Sequence, residues 1–304
     1  CAGLGVSCAS FGASPKFYVY RQVHMGMEVR ITMDAADEAV ARRAGTAAYA
    51  VIAGLDQRLS DYRDDSDLRA VERAAPNPVH VVPEVFEVLR RAMQVAHASD
   101  GAFDPTVAPL VALWRRARES RRLPAPDALV AARRLVGWSR VELDESAQTV
   151  RLPEPGMRLD LGGIAKGFIL QKALATLRDH GVTVAMIDAG GDIVAGDPPR
   201  RSGGWRIQFS AGCEVRSVEV LLRNGALATS GATAQFVEID GARYSHVMDP
   251  RTGLGLTSHR TVHVRAPDGA TADAWATALG VLGPVRAQRV RVPADVTFCF
   301  VNSS

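Results

Sequence analysis

Apolar and polar residues alternate over Val29-Arg30-Ile31-Thr32-Met33, the period of a half-buried strand. The period then lengthens. Val40, Ala44, Ala47, Val51 and Leu55 recur at helical spacing behind Asp34, which reads as the cap, with Asp37 at the third position. Leu59-Ser60-Asp61-Tyr62 reads as a turn. A second helix opens at Pro83, turns Val85, Leu89, Ala92 and Val95 inward, and stops at Ser99-Asp100-Gly101. Residues 119–128 are polar and carry proline, which predicts an exposed loop. Val150-Arg151-Leu152 leads to a loop at Asp160 and a helix over 163–180, ended by Gly181. Val184-Ala185-Met186-Ile187 is a short buried strand. Further strands are expected over 205–209, 215–222, 235–239, 243–248 and 260–264, then a helix over 272–282 and a last strand at 296–301. Strands that succeed one another with little helix between them pair antiparallel. The expected class is therefore α+β, with mixed or antiparallel sheets and packed helices. Residues 1–20 read as an N-terminal tether and 21–304 as one domain with room for two lobes.

Composition narrows the classes. Of 304 residues, 47% are apolar and 23% charged, enough for a sizeable core. A net charge of +3, with arginines dispersed as in Arg115-Arg116 and Arg121-Arg122, argues against a nucleic-acid surface. No apolar run reaches the ~18 residues of a membrane span. Cys1, Cys8, Cys213 and Cys299 show no metal or dithiol spacing. Cys1, followed by Ala2-Gly3-Leu4-Gly5, fits the lipidated start of a mature bacterial lipoprotein, and equally a trimmed chain.

Five segments carry candidate chemistry. Asp273 and Thr277 stand at i and i+4, so a carboxylate and a hydroxyl share one helical face. Oxygen donors at that spacing suit a hard cation such as Mg²⁺, or else they cap a helix and point outward. Asp160-Leu161-Gly162-Gly163-Ile164-Ala165-Lys166-Gly167 is a glycine-bearing turn opening a helix, with a lysine inside. Helix-start N–H groups and an ammonium attract phosphate, while the plainer alternative is a capping aspartate. Asp188-Ala189-Gly190-Gly191-Asp192 could be a dinucleotide loop or a tight turn at a strand end. In Gly101-Ala102-Phe103-Asp104-Pro105-Thr106 an aromatic beside a carboxylate suits a ring with polar edges, or a turn packed on the core. His246 lies three residues before Asp249, at a strand-to-turn junction, and is a general-base candidate or a core histidine.

Taken together these segments resemble the ApbE family, the FAD:protein FMN transferases, from about Met25 to Val301. The resemblance also covers Met25-Gly26, Leu59–Tyr62 with Ser66-Asp67-Leu68, Pro109-Leu110, Trp114 and Ala228-Thr229-Ser230-Gly231. It implies a flavoprotein-type transferase that binds FAD as substrate, cleaves its pyrophosphate with Mg²⁺, releases AMP and joins FMN to a protein threonine. By the family pattern the metal falls to Asp273, Thr277 and the main-chain oxygen of Gly163. Met25, Tyr62, Ala102, Phe103, Asp104, Asp160, Lys166 and Val247 fall where the family contacts FAD. His246 falls at a histidine important to transfer, with Asp249 next as base. The chain departs from the pattern at Met25-Gly26-Met27, at Ala232-Thr233-Ala234 after Thr-Ser-Gly, and in its abrupt end at Ser304.

Two rivals share these residues: an FAD pyrophosphatase using water as acceptor, and a non-catalytic envelope FAD-binding protein. The expected partner is a threonine-bearing protein of a membrane redox system. The expected location is the periplasmic side of the inner membrane, with the cytoplasm as alternative. Ser230-Gly231-Ala232-Thr233-Ala234 itself resembles an FMN acceptor motif, which raises self-modification at Thr233 against the simpler reading that it belongs to the enzyme's own pattern.

Overall fold

The structure is a computed structural model describing residues 17–210, 217–231, 236–258 and 260–302. Cys1, Cys8, Cys213 and Ala232-Thr233-Ala234 lie outside the described residues.

A hairpin of β1 (Phe17–His24) and β2 (Met27–Asp34) leads into helices α1 (Glu38–Leu59) and α2 (Asp67–Ala74). A small sheet of β3 (Val79–His80), β4 (Glu142–Asp144) and β5 (Thr149–Arg151) brackets α3 (Pro83–Ala98), α4 (Ala108–Ser120) and α5 (Pro126–Arg134). Then come α6 (Ala165–Asp179), β6 (Ala185–Ala189), β7 (Asp192–Ala195), the hairpin β8 (Trp205–Ser210) and β9 (Ser217–Leu222), and β10 (Gly225–Gly231). Two short hairpins, β11 (Phe236–Ile239) with β12 (Ala242–Ser245) and β13 (Met248–Asp249) with β14 (Leu254–Gly255), precede β15 (Arg260–Ala266), α7 (Gly269–Ala287) and β16 (Thr297–Asn302).

The main sheet has seven strands in the order β1-β2-β6-β7-β10-β15-β16, with every neighbouring pair antiparallel. This is the α+β class expected. Three helices cover the sheet, with α1 and α7 packed against α6. Their shared core includes Ile31, Ile52, Phe168, Leu170 and Trp275. A second core joins Leu110, Trp114 and Ala117 of α4 to Ala132 of α5, Ile239 of β11 and Met248 of β13.

Several expectations shift. Strand β1 begins at Phe17, inside the segment expected to be a tether. Asp34 closes β2, and the cap of α1 is Asp37, whose Oδ1 accepts from Val40 N at 2.8 Å. The buried stripe of α1 is Ala41, Ala44, Ala48, Ile52 and Leu55, so Val40, Ala47 and Val51 sit at its margin. The expected loop at 119–128 shrinks to 121–125 between α4 and α5. Strand β10, absent from the sequence reading, lies inside the main sheet. Among the described residues no helix is long and apolar enough to cross a membrane.

Candidate active site

The helix starts of α6 and α7 meet through glycine. A Cβ on Gly167 would lie 1.9 Å from Gly269 O, so only hydrogen fits at this crossing. The contact delivers Asp273, one turn into α7, to the start of α6. Gly167 N donates to Asp273 Oδ2 at 3.1 Å, and Lys166 Nζ lies 3.1 Å from Asp273 Oδ1. Thr277 follows one turn later on the same face. A Cβ on Gly163 would come within 2.7 Å of Thr277 Oγ1 and 3.2 Å of Phe103 Cε2. Asp273 and Thr277, paired by spacing, and Gly163, added by the resemblance, therefore lie together, and the outward-pointing alternative does not hold: Asp273 is 4% exposed.

Asp192 joins them from the sheet. Gly190 and Gly191, at φ 61° and 96°, make a two-residue turn between β6 and β7, a conformation L side chains resist. The segment is thus the tight turn, and it opens onto Asp192. Asp192 Oδ2 lies 3.0 Å from Lys166 Nζ, and Oδ1 accepts from Thr229 N at 3.2 Å. Burial pushes the Asp192 carboxyl above the usual carboxylate range, with Lys166 opposing and Asp273 reinforcing the shift. Burial works against the Lys166 ammonium too, but Asp273 and Asp192 outweigh it and hold its pKa above the ordinary lysine value. Asp192 was read only as the end of a segment that was either a dinucleotide loop or a tight turn, with no role of its own. Its single signal was a second acid flanking the glycine pair.

These groups line one part of a cleft of about 640 Å³. Another part is formed by Tyr62, Ala102, Phe103, Val107, Trp114 and Val247. Tyr62 is exposed and its ring carries the Arg115 guanidinium at 4.1 Å, which in turn pairs with Asp61 at 2.6 Å. Ala102 and Phe103 are set by the turn ending α3, where Gly101 N bonds Ala96 O and Phe103 N bonds Ser99 Oγ. Asp104 borders the cleft, but its carboxylate is occupied by Thr106 N, Thr106 Oγ1 and Trp138 N at 2.8, 2.6 and 3.2 Å. Burial raises its pKa against those bonds. Asp160 accepts from Gly162 N at 2.8 Å, pinning the glycine turn, while the α6 cap position is Ile164. Asp160 N bonds Pro105 O, which ties the two loops together.

Two expected residues fall elsewhere. Met25 sits at the β1–β2 turn, its N–H on Asp56, and does not border the cleft; Met27, two residues on, does. Met25 stands in the turn itself, at φ 52°, whereas Met27 is the first residue of β2. Asp249 is buried, and Arg251 occupies both of its oxygens, Nε to Oδ1 and Nη2 to Oδ2 at 2.8 Å each. Its backbone oxygen accepts from Gly253 N, so it closes the turn rather than facing the cleft. The same turn positions His246, which is exposed and borders the cleft. Backbone bonds flank it: Ser245 O accepts from Trp114 Nε1, and Val247 O from Leu256 N.

A hard cation fits this donor set. Asp273 offers a buried carboxylate, Thr277 a hydroxyl, and the glycine turn leaves room for main-chain oxygen beside it. Among the described residues no group of three His, Cys, Asp or Glu is placed to hold a metal ion, so backbone and hydroxyl oxygen would complete the shell.

Lys166 at the start of α6, Asp273 and Thr277 in α7 and Asp192 at the start of β7 gather an ammonium, two acids and a hydroxyl in one cleft of an α+β fold, a set suited to a phosphate ester and its cation. The ApbE family model matches residues 25–298, and the chain belongs to the ApbE family. A FAD:protein FMN transferase of Treponema pallidum (strain Nichols) is 37% identical over 244 residues, covering 74% of this chain and 67% of the relative. One of Klebsiella pneumoniae (strain 342) is 31% identical over 295 residues, covering 94% and 90%. Among solved structures, the apo flavinyl transferase ApbE of Pseudomonas stutzeri superposes with TM-score 0.81 at 27% identity, covering 94% of this chain and 95% of that one.

Proposed function

We propose that this chain is an FAD:protein FMN transferase that moves FMN from FAD to a threonine hydroxyl of an acceptor protein, with Mg²⁺ as its metal. The observation that carries the reading is the convergence of Lys166, Asp192, Asp273 and Thr277 in a cleft that also presents Tyr62, Phe103 and Val247. One set suits a pyrophosphate, the other a flat ring system.

Asp273, Thr277 and the Gly163 main-chain oxygen would hold the metal. When bound, Mg²⁺ supplies charge neutralisation for the pyrophosphate and the departing phosphate. Lys166 and the start of α6 grip the pyrophosphate. The acceptor Oγ attacks the phosphorus of the FMN half, the bond from that phosphorus to the bridging oxygen breaks, and AMP leaves with the electron pair. The hydroxyl proton passes to His246, the exposed base of the cleft, a contribution of roughly 10²–10⁴-fold. The product is a phosphodiester between FMN and the acceptor.

The test is incubation with FAD, Mg²⁺ and a threonine-bearing acceptor domain, followed by a denaturing gel. A fluorescent acceptor band is expected, absent with EDTA, with Asp273→Ala, and with the acceptor threonine changed to valine. AMP and free FMN without labelled protein would assign the chain to the hydrolytic alternative. No AMP at all would refute both.

A further inference from the structure

Lys166 stands between two carboxylates from different elements. Its Nζ is 3.0 Å from Asp192 Oδ2 and 3.1 Å from Asp273 Oδ1, and 3.3 Å from the Gly162 carbonyl. Both acids are nearly inaccessible, at 5% and 4% exposure. One ammonium against two carboxylates leaves a single negative charge where water cannot disperse it. Asp273 is also the one carboxylate of the expected metal set, so the ammonium lies where a divalent cation needs its ligand. The two cannot share that carboxylate at full strength, because they repel each other at close range. Asp192 offers a second seat. It already touches Lys166, and Thr229 N–H fixes its other oxygen. A lysine stem is flexible enough to give up one partner while keeping the other.

We propose that Lys166 is an internal counter-ion that occupies Asp273 in the metal-free protein and withdraws onto Asp192 when the divalent cation binds; this rests on reading Asp273 as the metal ligand. The exchange turns the cluster from one net negative charge to one net positive. Metal uptake thereby creates the charge that a pyrophosphate neutralises, and each ligand strengthens the other's binding.

The experiment measures Mg²⁺ affinity by isothermal titration calorimetry on the protein without FAD, with melting in EDTA and in Mg²⁺ as a second readout. Lys166→Gln removes the competitor, so Mg²⁺ should bind about tenfold more tightly. Its metal-free melting temperature should drop and its gain on adding Mg²⁺ should exceed that of the parent. Asp192→Asn removes the second seat and should weaken Mg²⁺ binding, by more when Lys166 is present than in the Lys166→Gln background. Lys166→Gln at parental affinity or weaker overturns the proposal, as does an Asp192→Asn effect equal in both backgrounds. Should Lys166→Gln fail to fold, Asp192→Asn alone decides: unchanged affinity overturns the proposal. A parent protein that takes up no Mg²⁺ refutes the metal reading itself and this inference with it.

Discussion

Gly167→Ala tests whether the site depends on two helices touching. The added methyl would sit 1.9 Å from Gly269 O, where ordinary contact begins near 3.4 Å. The obstacle is backbone, so no rotamer change relieves it, and the helix starts must part by more than about an ångström. Overpacking of this kind costs about 1–3 kcal/mol. The same displacement pulls Asp273 from Gly167 N and Lys166, and a misplacement of ~1 Å in a catalytic array is worth about 10²-fold in rate. Gly54→Ala is the control: it lies in α1 with nothing within 4 Å of its Cβ. It should stabilise the protein by roughly 0.5–1 kcal/mol and leave transfer untouched. The assay pairs urea unfolding with initial rates of acceptor labelling at saturating FAD. Gly167→Ala with parental stability and a rate within twofold would show that the helix contact does not set the site.

Three further outcomes are expected. His246→Ala should retain FAD affinity while labelling falls by roughly 10²–10⁴-fold, measured by fluorescence titration beside gel rates; equal loss of both would make it a binding residue. Asp249→Asn should destabilise by about 1–3 kcal/mol, since the part-exposed Arg251 loses its buried charged partner, and labelling should fall through His246 placement while Mg²⁺ affinity holds. His263, buried against Thr229 Oγ1 at 2.9 Å, has its pKa lowered by burial. The unfolded chain therefore takes up this proton more readily, so stability should fall as pH drops through the ordinary histidine value of 6.5 and level off below the native one; a His263→Gln melt series that keeps the same slope refutes this.

Long, strongly periodic elements were legible in the sequence: α1, α3 and α6, the antiparallel run after residue 200, and the i, i+4 pair on α7. Helices α4 and α5 were hidden because arginine-rich, part-exposed helices look like polar loop, and their burial rests on the few residues around Leu110 and Trp114. Strand β10 was hidden because Gly225-Ala226-Leu227-Ala228-Thr229-Ser230-Gly231 has small residues where alternation would show. Spacing placed Asp273 and Thr277 together, since one helix carries both. It could not place Asp192 or choose Met27 over Met25, because those depend on which strands adjoin and where the β1–β2 turn falls. Asp249 illustrates the converse: an acid in a functional motif that serves the turn.

Val247 packs on the large core and Met248 belongs to the small one, so His246 lies at their seam. The proposed proton acceptor and the proposed cation seat thus answer to separate hydrophobic foundations. Warming that loosens the grip of Leu110 and Trp114 would let the histidine drift while Lys166, Asp192 and Asp273 stay locked between helix and sheet. Loss of labelling on heating should therefore precede global melting, with the helix-and-sheet half of the cleft still intact when the reaction has already stopped.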